Sequence, residues 1–520
     1  MIIPFTRRTV LLWAIAIAAA VGGALVAWHY HQAGLTLSHY DARGHLVVAR
    51  RIADSLTPGW QQIGAVWLPL PHLLNALPVQ IDFFYRTGAS AVAISIASFV
   101  VTTCAIAWIV WSLTDSPGAS VAGAAVFAFN PNVLYLQSTP MTEPLLLALT
   151  TLATAMLMRW VDAARLTPRA TSDTTVAPGA VDVARHSDAA RGFGIAVGWA
   201  FALACLTRYE AWPVTASALA AAAWARWRQG RSATALVGEI GGLALYPAAA
   251  IVGFSIFSRV VVGEWFVSGR FFVPENKAFG LPFMAISEIG WGTRVLSGPL
   301  LLGAGLVGLV ALAVLGLVSR RRAHAAVVLS LAATMAVPWA AFVKGHPFRI
   351  RYMVPLMVVE AVGAGVAAGL LRRVRWAGAL AVLAVFACVA FELDPLDATA
   401  PMVVEAQWDR PNAPVRAQIT TCLGRPEPGE KIMASMGSLG HYMQEASRSG
   451  FAIRDFLHEG NGDIWLAALD GPRPFADWIL IEEQAEGGDM LAHIARERSS
   501  FLDGYRRICD GAGLALYRRD

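Results

Sequence analysis

The sequence predicts an all-α polytopic membrane domain of about eleven spans, followed by a small extracytoplasmic α/β domain. Three observations predict it. Apolar stretches of about 20 residues recur as far as residue 392, the length that carries a helix across ~30 Å of hydrocarbon. Arginine clusters fall where eleven alternating spans return to one side. Ordinary polarity comes back from about residue 393.

The spans cover 9–29, 89–113, 119–137, 142–160, 192–207, 212–227, 236–258, 299–319, 324–343, 353–371 and 375–392. Helices are expected because every backbone polar group inside lipid must be satisfied within its own segment. The first stretch is long for a signal peptide and no small-residue cleavage motif follows it, so it reads as an anchor. The clusters are Arg7 and Arg8; Arg159, Arg165, Arg169, Arg185 and Arg191; Arg226, Arg228 and Arg231; Arg320, Arg321 and Arg322; and Arg372, Arg373 and Arg375. The positive-inside rule makes their side cytoplasmic. The N-terminus is then cytoplasmic, the C-terminal domain is outside, and the protein is expected in the inner (plasma) membrane. This divides the chain into a membrane domain, 1–392, and a soluble domain, 393–520. The membrane domain has a first outer loop at 30–88 and a flexible cytoplasmic loop at 162–190.

Composition agrees. The 520 residues are 56% hydrophobic and only 15% charged, against roughly 25% charged in soluble domains. Mean hydropathy is +0.53. The net charge of +5 lies in short runs beside apolar segments, which argues for membrane orientation and against nucleic acid as a partner.

In the C-terminal part, Lys431–Met436 and Trp478–Ile481 read as buried strands and Met490–Tyr505 as a helix. The turn Gly437-Ser438-Leu439-Gly440 is of a kind that can hold phosphate, but a plain tight turn is the better reading without the full glycine fingerprint. Cys422 and Cys509 fit a disulfide and two free thiols equally well. Cys104, Cys205 and Cys388 read as small buried hydrophobes.

The outer side carries polar groups that an anchor does not need. Asp41, just past the first span, is placed to act as a general base or to hold a divalent metal ion. Around it stand Arg43, His45, Trp67 and His72, in an amphipathic loop with aromatic residues at headgroup depth. Glu143 sits where Thr142 caps a helix and Pro144 occupies its first turn. Arg208, Tyr209 and Glu210 end the fifth span, where a local ion pair explains the charges. The last outer loop brings Lys344, Arg349, Arg351 and Tyr352 to the face that should be poor in cations. Guanidinium groups there bind phosphate bidentately, and lipid headgroups are the competing partner.

The order of these features resembles the GT-C superfamily of integral membrane glycosyltransferases, nearest in pattern to the protein O-mannosyltransferases and the lipid A aminoarabinose transferases. One acidic residue follows the first span, and a WLPLPHLL stretch leads to Arg86. Thr142-Glu143 follows the third span, and Arg351-Tyr352-Met353-Val354-Pro355 precedes a late one. The resemblance implies a polyprenyl-phosphate-linked sugar as donor and a glycan, lipid or protein hydroxyl as acceptor. It also implies an inverting reaction outside the cytoplasm. It makes Asp41 the base, Glu143 the second acidic group, and Arg349 and Arg351, with Lys344, the donor-phosphate ligands. Arg43, His45, Trp67, His72, Arg208, Tyr209, Glu210 and Tyr352 become candidate substrate contacts. Ala42 stands where relatives often carry a second acid, which weakens the metal site. A transporter or flippase is the alternative. It asks for midplane charges and internal repeats, and Glu360 is the one residue that has no other account.

Overall fold

The computed structural model describes residues 6–163, 180–267, 276–425, 427–484 and 489–520. Most of the loop expected at 162–190, with Arg165 and Arg169, lies outside the described residues, as do the side chains of Arg185, Arg191, Arg373 and Arg375.

All eleven apolar stretches are helical. The first is α1 (Arg7–Gln32), started by Thr6, whose hydroxyl accepts from the Thr9 N–H. The first outer loop folds into α2 (Tyr40–Arg50), α3 (Leu70–Asn75) and α4 (Asp82–Thr87) before α5 (Ala89–Thr114). The third stretch is broken into α6 (Pro117–Ala128) and α7 (Pro131–Leu136). Asn130 causes the break: its side-chain oxygen accepts from Asn132 N at 3.0 Å and Val133 N at 3.3 Å, and Pro131 opens the new helix. Next come α8 (Glu143–Ala163), α9 (Ala180–Cys205), α10 (Ala211–Arg228) and α11 (Ala233–Val262). They are followed by α12 (Pro282–Ser297), which lies outside the expected spans, and α13 (Pro299–Val318). A 3₁₀ stretch, Arg320–Met335, runs into α14 (Ala336–Val343), and α15 (Leu356–Leu370) and α16 (Arg375–Glu392) complete the bundle. Seven helical segments among the described residues are long and apolar enough to cross a membrane by themselves.

Helix α15 is the heart of the bundle, packed against α13, α6, α5 and α16. Its contact with α13 depends on glycine: a Cβ at Gly308 or Gly363 would run into the backbone of the facing helix. Small residues at such a seam let dispersion and backbone proximity replace the hydrophobic effect, which lipid cannot supply. Helices α1 and α11, by contrast, leave most of their surface open for lipid.

The arginine clusters gather at one end of the bundle. Arg8 donates to Trp108 O and Arg322 to Leu113 O, both near the end of α5; Arg372 pairs with Asp115 just beyond it, and Arg228 donates to Leu317 O. The outer-loop helices and the C-terminal residues lie at the other end.

After α16 the chain continues through α17 (Pro401–Glu405) and α18 (Ala413–Leu423) into a five-stranded sheet. The strands are β1 (Ile432–Ala434), β2 (Phe456–Leu457), β3 (Trp478–Glu482), β4 (Tyr505–Gly511) and β5 (Leu514–Arg519), in the order β2-β1-β3-β5-β4. Strand β1 is parallel to both its neighbours, while β5 is antiparallel to β3 and β4. Helices α19 (Met436–Ala446), α20 (Asp463–Asp470) and α21 (Met490–Glu497) connect the strands.

Two local expectations change here. Gly437 and Gly440 lie inside α19 rather than in a turn, because the helix already starts at Met436. The helix expected over Met490–Tyr505 stops at Glu497; Gly504, at φ +80°, turns the chain into β4. The C-terminal hairpin has no counterpart among the expected elements. Cys422 and Cys509 are joined by a disulfide that ties α18 to β4. The sheet does not stand apart from the membrane domain: Leu46, Val47 and Tyr85 of the first outer loop share a core with Ile432, Tyr442 and Phe456.

Candidate active site

Helix α2 builds one wall of the site. His39 caps it, its Nδ1 accepting from the Asp41 N–H at 3.1 Å. This fixes Asp41 in the first turn and puts His45 one turn further along the same face. Asp41 is 7% exposed and forms a direct ion pair with Arg351, which comes from the 3₁₀ turn Ile350–Met353 ahead of α15. Arg351 also lies 3.4 Å from His39 Nε2 and packs its guanidinium over the Tyr352 ring at 5.4 Å. Burial pushes the Asp41 carboxyl up, but Arg351, with His39 and His45, outweighs it and holds the carboxyl well below the usual carboxylate range.

The second wall is the start of α8 and the turn before α10. Arg208 donates to Glu210 Oε1 at 2.7 Å and to Thr142 Oγ1 at 3.1 Å. Its Nη1 stands 3.0 Å from Glu143 Oε1. That contact is ionic rather than an aligned hydrogen bond, since neither Glu143 oxygen is hydrogen-bonded among the described residues. Burial lowers the Arg208 pKa, but Glu143 and Glu210 more than offset it and raise it, while Arg351 opposes them. Mutual repulsion between Arg208 and Arg351 marks the two walls as parts of one electrostatic cluster.

The third contribution comes from beyond the last span. Glu405, at the end of α17, accepts from the Ile350 N–H at 3.2 Å and lies 3.6 Å from His39 Nε2. It therefore braces both the turn that carries Arg351 and the cap that carries Asp41. Sequence reasoning missed both His39 and Glu405. A cap at His39 is readable from its place before Asp41, whereas nothing local marks Glu405.

The remaining candidates divide. His45, Trp67 and His72 form one stack: His45 Nδ1 is 3.1 Å from His72 Nε2, and the His45 and Trp67 ring centroids are 4.2 Å apart. Tyr352 borders Arg351, Arg349 packs over the Trp408 ring at 5.4 Å, and Lys344 is exposed at the end of α14. Arg43 points elsewhere, pairing with Asp409 at 3.2 Å and with Glu445; Arg416 bridges the same two carboxylates. The Tyr209 hydroxyl donates to Ala65 O at 3.2 Å. Both tie the outer loop in place. Among the described residues no three His, Cys, Asp or Glu side chains gather as a metal cluster, and Asp41 faces a guanidinium rather than a second acid.

Two other features of the sequence find their explanation away from this site. The start of α19, where phosphate was the weaker of two readings of the glycine turn, is already filled: Glu459 accepts from Met436 N at 2.7 Å and from the Ser435 hydroxyl. Glu360 is buried against Ser297, whose hydroxyl donates to it at 2.7 Å, at the seam with Gly305 of α13.

A bundle of this helix order, with a folded loop after its first span, a charged site at one end of its spans and a mixed α/β domain over it, is an integral multi-pass membrane protein. Its fold is like that of several solved structures. ArnT from Cupriavidus metallidurans bound to undecaprenyl phosphate matches with a TM-score of 0.50 at 13% identity, over 98% of this chain and 97% of that one. ArnT in its apo state matches likewise, with a TM-score of 0.50 at 12% identity, over 96% of this chain and 98% of that one. The Archaeoglobus fulgidus oligosaccharyltransferase in the apo form gives a TM-score of 0.52 at 12% identity, over 95% of this chain and 73% of that one. No family model and no curated protein matches the sequence. The likeness lies in the fold.

Proposed function

We propose that this chain moves a hexose or pentose from a polyprenyl-phosphate donor to an acceptor hydroxyl at the extracytoplasmic face, with inversion of the anomeric carbon. The observation that carries the reading is the buried contact between Asp41 and Arg351. A carboxylate and a guanidinium, the two groups the reaction needs, are in contact in the resting site and part to admit the sugar-phosphate between them. That ArnT, with the same fold, is described bound to undecaprenyl phosphate supports the choice of donor.

In the resting pair neither partner can act. Asp41 is too weak a base while Arg351 holds its charge. The donor phosphate takes over Arg351, joined by Arg349 and Lys344, through bidentate guanidinium contacts and a point charge. Asp41 is released, its proton affinity rises, and it accepts the acceptor's hydroxyl proton. The acceptor oxygen attacks the anomeric carbon as the bond to the phosphate oxygen breaks. The leaving phosphate needs no proton, since the guanidinium groups stabilise its charge. A single displacement inverts the centre. Glu143 and Glu210 hold Arg208 against Thr142, which sets the acceptor side of the site. Trp67 and Tyr352 offer ring faces to the substrates. Arg43 and Tyr209 serve as ties rather than contacts.

In this reading residues 1–392 are the catalytic membrane domain and 393–520 an extracytoplasmic domain. The N-terminus is cytoplasmic, at the arginine-rich end. The Cys422–Cys509 disulfide supports an oxidising compartment for the C-terminal domain. The assay is sugar transfer from a polyprenyl-phosphate sugar in proteoliposomes, run beside a flux measurement. Transfer without flux supports an enzyme. Flux without transfer, or full activity in Asp41→Asn, removes the mechanism.

A further inference from the structure

Glu405 reaches the site on the segment that leaves the last span, and that segment is pinned on both flanks. The Met402 N–H donates to Asn132 Oδ1 at 3.0 Å, the Ser38 hydroxyl donates to Ala406 O at 2.8 Å, and Asp409 pairs with Arg43 at 3.2 Å. Glu405 itself is buried and accepts from the Ile350 N–H through Oε2. Its carboxyl group cannot withdraw without undoing these contacts. The other oxygen asks for an explanation. Oε1 makes no hydrogen bond among the described residues; it faces His39 Nε2 at 3.6 Å, beyond hydrogen-bond reach. Burial pushes the carboxyl up, but His39, Arg351 and Arg349 outweigh it and hold it below the usual range, so Glu405 is an anion at neutral pH. A buried carboxylate with an unpaired oxygen costs stability, and a neutral side chain accepting from Ile350 would brace the turn without that cost. The charge needs a use that bracing does not supply.

Arg351 supplies the use. Its Nη1 stands 3.4 Å from the same His39 nitrogen, so Glu405 acts on the guanidinium across the imidazole without touching it. When the donor phosphate takes the place of Asp41 on Arg351, Glu405 stays, and the phosphate meets a guanidinium whose charge is already partly offset. The two phosphates that visit this place differ in charge. The donor is a phosphodiester with one negative charge, whereas the polyprenyl phosphate left after transfer is a monoester with nearly two. Unopposed, Arg349, Arg351 and Lys344 would hold the product more tightly than the donor. Coulomb repulsion grows with the charge repelled, so one fixed anion penalises the product about twice as much as the donor.

We infer that Glu405 is a positioning residue for product release: a fixed anion near Arg351 that keeps the leaving polyprenyl phosphate from becoming the tightest ligand of the site. It makes and breaks no bond and acts only through the guanidinium. The inference rests on the transferase reading above.

The test uses the full chain in nanodiscs, with undecaprenyl phosphate as product and synthetic undecaprenyl-phosphate sugars as donors. Glu405→Gln should bind undecaprenyl phosphate roughly 5–30-fold tighter, the scale of one unit charge about 10 Å from another at an effective dielectric of ~20. The KM for donor should fall by less, product inhibition should deepen, and repeated turnover should slow more than the first turnover. Loss of a mere brace would misplace Arg351 and move affinity the other way. Weaker or unchanged binding of undecaprenyl phosphate by Glu405→Gln therefore overturns the inference and leaves the transferase reading standing. A wild type that neither binds undecaprenyl phosphate nor transfers sugar overturns both. Glu405→Asp keeps the charge while giving up the reach to Ile350, and should bind undecaprenyl phosphate as the wild type does. Where Glu405→Gln does not fold, this variant decides, and a clear loss of affinity there overturns the inference.

Discussion

Arg351 is buried and Arg208 half-buried, each beside an acidic residue in the same cluster, yet their surroundings differ. Arg208 is shared between two carboxylates, Glu143 and Glu210, and hydrogen-bonded to Thr142 besides. Among the described residues Arg351 touches one carboxylate, Asp41, with Glu143 and Glu405 acting on it from further away, and Arg349 stands two residues along the chain. A guanidinium outnumbered by its own carboxylates has no charge to offer an incoming phosphate. One that is matched singly can exchange one anion for another. An ion pair's job is therefore read from its charge balance as well as from its contact distance.

The severest challenge to this contrast is Asp41→Asn. Transfer should fall by on the order of 10²–10⁴-fold, as for loss of a general base. Binding of undecaprenyl phosphate to the same variant in nanodiscs should tighten, because Arg351 no longer has an internal anion to give up. Weaker lipid binding in Asp41→Asn would show that the pair supports the phosphate site instead of competing with it.

Arg208→Ala should act chiefly on stability. It leaves Glu143 and Glu210 buried without a counter-charge, a loss of about 3–5 kcal/mol, which a fall in the thermal unfolding midpoint in nanodiscs would record. An unchanged midpoint would make Arg208 as exchangeable as Arg351.

The pH dependence separates histidine from aspartate. The His72 pKa is pushed down to about 3 by burial, with Arg51 adding to the shift and the Leu68 hydrogen bond opposing it. An unfolded histidine titrates near 6.5, so between about 6.5 and 3 the unfolded chain binds the extra proton. Stability from this group is full above that window and drains away as pH falls through it. Asp41, held below the usual carboxylate range, contributes stability that is lost only below about 4. Melting curves between pH 7 and 4 should therefore soften through the histidines, and His72→Phe should flatten part of the slope. A slope untouched by that change would contradict a buried, neutral His72.

The smallest effect is expected at the start of α19 in the C-terminal domain. Glu459→Gln weakens the cap on that helix and should cost about 0.5–2 kcal/mol without creating phosphate affinity. Phosphate-dependent stabilisation of that variant would mean Glu459 is a plug over a working site.

The membrane fold was legible because lipid imposes a length and a composition that any helix of α5 or α13 must meet. Asp41, Glu143 and Arg351 were legible as charges at the outer ends of spans, where lipid gives no reason for them. The C-terminal hairpin was not. Strand β4 alternates weakly, with exposed Arg506, Arg507 and Ile508 in succession, and its pairing with β5 is set by contacts and by the turn at Ala512 and Gly513, both at positive φ, rather than by its own pattern.

The order of residues along the chain is enough to say which segments enter lipid, where the arginine-rich end lies, and which residue types gather outside the spans. These follow from local transfer energies, which depend on neighbours along the chain. It takes the folded arrangement to show that Asp41 meets Arg351, that Arg208 belongs to two carboxylates, that Glu405 arrives from beyond the last span, and that His45 meets His72. Those depend on charge partners and hydrogen-bond direction across elements far apart in sequence, and the packing of α15 and the outer loop, not any local rule, brings them together.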